Sequence, residues 1–98
     1  MSTFYHSMIL IHKKKIHALV IPKGEYINLD DFSSKASEKE IAALVKAITT
    51  VAEKIGVSDV VKGGGYRSLV NTGKNGGQEV PHLHFHIFGG EKVGKMVS

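Results

Sequence analysis

Residues 80 to 90 read VPHLHFHIFGG. Three of the chain's six histidines, His82, His84 and His86, occupy every second position, with Leu83, Phe85 and Ile87 between them. Alternate side chains of a strand share a face. The spacing therefore predicts a strand over Val80–Phe88 with one apolar face, anchored in a core, and one face of displayed imidazoles. Pro81 has no amide to give to a ladder, so it belongs at the start or the edge of that strand. Gly89-Gly90 ends it.

Working outward, the preceding stretch NTGKNGGQE supplies a turn over Thr72–Gln78, and Tyr66–Asn71 reads as the strand before it. Nine of the eleven glycines lie between Gly63 and Gly94, so the last third of the chain carries the tight backbone work. Upstream, His6–His12 and Ile16–Ile21 are rich in β-branched residues. They predict a hairpin about the lysine run Lys13–Lys15, a solvated turn, with His6 and His12 as exposed surface positions. Pro22 closes the second strand, Gly24 permits a turn, and Asn28–Ser34 reads as loop. Ser37 and Glu40 make a capping-box pattern. After it, Ile41, Leu44, Val45, Ile48, Val51, Ala52 and Ile55 recur as one apolar stripe, and Gly56 is the stop. The fold class predicted is α+β: a mainly antiparallel sheet with one long helix on one face, in a single domain spanning 1–98. Four short strands leave edges open to a second copy.

Composition sets the outer limits. A chain of 98 residues with 42% apolar and 22% charged residues is an ordinary small domain, able to bury roughly 60–70% of its unfolded surface. It has no cysteine, so disulfides and thiolate metal sites are excluded. The net charge of +4 favours anionic small ligands. Twelve of the thirteen cations are lysines, with Arg67 the only arginine. That is thin for bidentate recognition of a duplex, so nucleic acid is not an expected partner. Met8–Ile11 is too short for a signal core or a membrane span, which points to a soluble, cytoplasmic chain.

Three alternating imidazoles admit metal binding or phosphorus chemistry. Two histidines at i and i+2 can share an ion, but the outer pair of a straight strand lies ~13 Å apart along the chain. Nearby carboxylates are few, Glu79 and Glu91. A neutral imidazole, by contrast, is a nucleophile at neutral pH, provided its other nitrogen carries the proton and is held by an acceptor such as a carbonyl. The turn Gly76-Gly77-Gln78 offers consecutive amides to a phosphate. The stretch GKNGG is not a P-loop, since Lys74 is followed by Asn75.

The run HLHFHIF resembles the signature of the histidine triad (HIT) family. GYRSLVNTGKNGGQEVPHLHFHIFGG and IHALVIPKGEYINL resemble its Hint branch, the histidine triad nucleotide-binding proteins. The resemblance covers about residues 16 to 90. It implies a nucleotide-binding hydrolase of purine nucleoside phosphoramidates or related conjugates. In it, His84 attacks the α-phosphorus and forms a nucleotidyl-histidine, and water releases an AMP- or GMP-type product. It implies further that His82 orients the nucleophile, with His17 behind it, and that His86 donates to the phosphate. Asn71, Gly77, Gln78 and Val80 match phosphate-binding groups. Members are homodimers with a shared sheet and need no metal or other cofactor for the chemistry. A nucleotide-binding or interaction module with little catalysis is the alternative.

Two departures stand out. Many relatives carry serine or threonine at the place of Glu79, and a carboxylate there repels an α-phosphate unless protonated or turned away. Relatives also begin with a further helix and strand and an acidic ribose contact, so residues 1–15 read as an atypical or truncated strand.

Overall fold

The computed structural model describes residues 5–12 and 15–91, the side chain of His12 excepted. Lys13 and Lys14, and with them most of the expected lysine turn, lie outside the described residues. The strands around that turn pair as expected. β1 (Tyr5–His12) runs antiparallel to β2 (Lys15–Pro22) with Tyr5 opposite Pro22 and Ile11 opposite Ile16. β2 pairs in turn with β4 (Phe85–Gly89), which pairs with the short β3 (Arg67–Leu69). The sheet is fully antiparallel, in the order β1-β2-β4-β3.

Between β2 and β3 stand two helices rather than one. α1 (Leu29–Lys35) occupies the segment read as loop. Asn28 is its N-cap, its side chain accepting from the Asp31 amide at 2.9 Å, with Asp30 and Asp31 in the first turn and Lys35 in the last. Only Phe32 of this helix is buried, so two turns carry no apolar period by which to be read. α2 (Glu38–Lys54) starts at the Ser37–Glu40 capping box, as its sequence predicts. It ends before Gly56, whose φ of +80° suits a residue without Cβ. Of its stripe, Leu44, Val51 and Ala52 are buried, whereas Val45 is 60% exposed. The 3.6-residue period carries Val45 round to the edge of the buried face, and Ala47 takes the place in the core instead.

α2 packs on β1, β2 and β4. Beneath it lie Ala18, Val20 and Ile87, fully buried, together with Leu83, Val57 and Phe32. Gly89 closes the far end of β4. A Cβ there would stand 2.8 Å from the Val57 side chain, which explains a strand that ends in glycine. Among the described residues no helix is long and apolar enough to cross a membrane.

The strands of the last third are shorter than the sequence predicts. β3 covers three residues of Tyr66–Asn71, and the ladder of β4 begins at Phe85, not Val80. Val80–His84 keeps the alternation without neighbouring strands. Leu83 is buried, and its amide donates to the Tyr26 carbonyl at 2.7 Å. The reason is local. The His82 amide turns back to the Val80 carbonyl at 2.8 Å, and Pro81 has no amide at all, so neither can extend a ladder.

Candidate active site

The sheet face turned away from α2 carries the histidines. In β2, Ala18 and Val20 point into the core, so His17, Leu19 and Ile21 point outward. The pairing then sets rows across this face. His17 lies between Leu10 and Phe88, with Arg67 beyond. Leu19 lies between Met8 and His86, with Leu69 beyond. The ladders stop at Phe85 and at His86, and beyond them Ile21 and His84 border one cleft.

His84 is fixed by its own backbone. Its Nδ1 stands 2.7 Å from the His82 carbonyl oxygen. A carbonyl only accepts, so Nδ1 carries the proton, and in the neutral ring Nε2 is left with its lone pair. This contact depends on where the ladder ends. Inside a sheet the His82 carbonyl would point to the next strand, and here it is free to take the ring. His82 contributes differently. Its Nε2 is buried with no hydrogen-bond partner among the described residues, an arrangement that costs on the order of 1–3 kcal/mol and clusters at functional sites.

His86 meets His17. His17 Nε2 and His86 Nδ1 are 2.8 Å apart, and the two rings stack with centroids 5.1 Å apart. Phe88 backs both, at 4.4 Å from the His17 ring and 5.7 Å from the His86 ring. The expectation that His17 stands behind His82 is thus corrected. Register puts His17 opposite Phe88, one pair along from His86, while His82 lies outside the ladder. One proton occupies the His17–His86 bond. When His17 supplies it, His86 keeps Nε2–H as a free donor. Burial, and then the charges of His84 and His17, hold the His86 imidazole below the usual range, so it is neutral at neutral pH. His84 presents its ring edge-on to His86 at 4.9 Å.

The turn before the triad is used otherwise than its sequence predicts. The Gly77 amide donates to the Lys74 carbonyl and the Gln78 amide to the Gly73 carbonyl, so these two consecutive amides are spent inside the turn. The Gln78 side chain accepts from the Gly73 amide at 2.9 Å. It donates to the carbonyls of Ile27 at 2.6 Å and Val80 at 3.0 Å. It is a brace that ties the turn to the loop after β2. That loop is itself held to α2, because the Tyr26 hydroxyl donates to Glu40 at 2.8 Å. The helix cap therefore reaches the triad through Tyr26 and Leu83.

Two clefts open here. One, of about 560 Å³, is walled by Leu19, Ile21, Pro22 and Val80 and holds His82, His84 and also His6. The other, of about 510 Å³, is lined by Gly77, Gln78 and Glu79 among others, and Val80 borders both. Glu79 is exposed and lines the second, whose walls include no histidine. Among the described residues no group of three or more metal-ligating side chains converges. Sequence reasoning missed His6 as a site residue. It is exposed, as expected, and the strand register alone brings it to this cleft.

The family described as "HIT domain" matches residues 8–93. The chain belongs to the HIT family. A HIT-like protein of Azospirillum brasilense is 49% identical over 82 residues, 84% of this chain and 64% of that protein. The purine nucleoside phosphoramidase of Escherichia coli K12 is 33% identical over 82 residues, 84% of this chain and 65% of that enzyme. The chain thus spans slightly under two thirds of the length of these HIT relatives. Among solved structures, a histidine triad protein from Clostridium difficile superposes with a TM-score of 0.75 at 30% identity, over 97% of this chain and 79% of its own. A second HIT-like protein gives 0.74 at 38%, over 93% and 82%.

Proposed function

We propose that this HIT protein hydrolyses nucleoside phosphoramidates or related nucleotide conjugates, purine ones by preference, through a covalent nucleotide on His84. The observation that carries this reading is the 2.7 Å contact of His84 Nδ1 with the His82 carbonyl, which leaves Nε2 unprotonated beside a cleft of nucleotide size. Nε2 attacks the α-phosphorus. The bond from phosphorus to the leaving nitrogen breaks, and that nitrogen leaves as an amine with a proton taken up. Water then attacks the phosphorus, its proton is released, and the nucleoside monophosphate departs from a neutral imidazole.

In this reading His86, neutral and with Nε2–H free, donates to a phosphate oxygen and offsets its growing charge. His17 fixes that tautomer, and Phe88 holds both rings. Asn71 and the border residue Val80 flank the phosphate. Gln78 and Gly77 act by shaping the turn, and Glu79 faces the neighbouring cleft, where the leaving group emerges. The purine preference is carried over from the phosphoramidase relative. The functional unit we propose is a homodimer in the cytoplasm.

The test is acid quenching of the protein during turnover of an adenosine phosphoramidate, followed by intact-mass measurement. The expected result is a protein heavier by one adenylyl group. His84→Asn is expected to show no adduct and turnover lower by a factor of at least about 10³. An adduct or wild-type turnover in His84→Asn overturns the mechanism.

A further inference from the structure

His6 is the one histidine of the cleft that the proposed chemistry leaves unused. It lies in β1, two strands from His84, and pairs with Ile21. The β2–β4 pairing ends at Val20 opposite Phe85, and just beyond it Ile21 and His84 line the same cleft. His6, paired with Ile21, therefore borders the same cleft as His84. β1 and β4 flank β2, so at a strand spacing of ~4.8 Å their backbones lie about 10 Å apart. A phosphate and its ribose fill such a gap. His6, His82 and His84 do line one cleft.

We propose that His6 is a specificity residue that binds the ribose hydroxyls of the nucleotide while its α-phosphate lies at His84. The proposal rests on the nucleotide reading above. Three other chargeable or polar side chains border this cleft, those of Lys23, Glu25 and His82. Chemistry separates His6 from them. A neighbouring pair of hydroxyls both donates and accepts. A neutral imidazole offers one donor and one acceptor, whereas lysine only donates and an ionised glutamate only accepts. His82 follows Pro81 on the phosphate side of Ile21, with its Nε2 buried. His6 is exposed on an edge strand, so replacing it leaves the core untouched.

The experiment compares adenosine 5′-phosphoramidate with its 2′,3′-dideoxy analogue in the full chain and in His6→Ala and His6→Gln. The wild type is expected to prefer the ribose substrate by roughly 10- to 100-fold in kcat/KM, the worth of two hydrogen bonds. His6→Ala is expected to lose that preference through KM, with kcat little changed. His6→Gln, which keeps a donor and an acceptor, is expected to retain most of it. An unchanged preference in His6→Ala overturns the proposal, as does a His6→Gln variant no better than His6→Ala. If the wild type turns over neither substrate, the hydrolase reading fails by itself. Calorimetry with AMP and 2′,3′-dideoxy-AMP then decides the role of His6: a preference lost in His6→Ala supports it, and equal binding by wild type and variant overturns it.

Discussion

The histidine segment has two halves that are held in different ways. Phe85–Gly89 is gripped by strands on both sides, and its backbone groups go to β2 and β3. Val80–His84 has no strand beside it among the described residues. It is positioned by the buried Leu83 side chain, by one amide bond to Tyr26 and by the Gln78 brace. The ladder half carries His86, whose ring is set by other side chains. The unpaired half carries His84, whose ring is set by a main-chain carbonyl that the ladder has left free. A nucleophilic imidazole needs such a carbonyl, and the end of a sheet is where one becomes available.

The contrast can be broken by removing one core anchor from each half. Leu83→Ala and Ile87→Ala are each expected to cost about 2–5 kcal/mol of stability, since both side chains are fully buried. Only Leu83→Ala is expected to lower kcat per folded molecule as well, because the buried Leu83 side chain anchors the segment that carries the His82 carbonyl. Denaturant titration with active-site-normalised kinetics measures both. Equal kcat in the two variants would erase the distinction between the halves.

A smaller effect sharpens the ladder half. His17→Phe keeps a ring to stack on Phe88 but removes the 2.8 Å bond to His86. Turnover is expected to fall roughly 10- to 100-fold, within the range of a lost positioned donor. The His84 adduct should still form. Full activity would mean that His86 finds its tautomer unaided.

The smallest effect is on stability against pH. Burial first, and then the neighbouring imidazole charges, lowers the His86 pKa in the folded state. An unfolded histidine titrates near ~6.5. Below that pH the unfolded chain binds a proton that the folded chain does not, so stability falls as pH drops from about 6.5 toward the lowered folded value. Above that range His86 adds no slope. Denaturant midpoints at about pH 7.5 and about pH 5.5 are expected to differ less in His86→Gln than in the wild type. An unchanged difference would place the slope on another group.

Much of this was legible in the residues. The alternation of histidine with Leu83, Phe85 and Ile87 predicted one anchored and one displayed face. Side-chain direction survives the end of the ladder because it depends only on extended backbone. The Ser37–Glu40 cap and the hairpin were equally plain, because capping and strand alternation act between near neighbours in the chain. The first helix was not, since two turns with one buried residue carry too little period. Gln78 also misled: an amide beside glycines looks the same in sequence whether it faces a phosphate or the carbonyl of Ile27, 51 residues away.

From the chain alone came the α+β class, the long helix with its cap, the family, and the proposal that the central imidazole is the reactive group. These rest on local patterns, which a sequence records directly. Only the folded structure decided that His17 meets His86, that two amides of the turn are already used, and that His6 shares a cleft with His84. The first and the last are meetings of segments distant in sequence, and a shift of strand register by one residue would have sent those side chains to the opposite face.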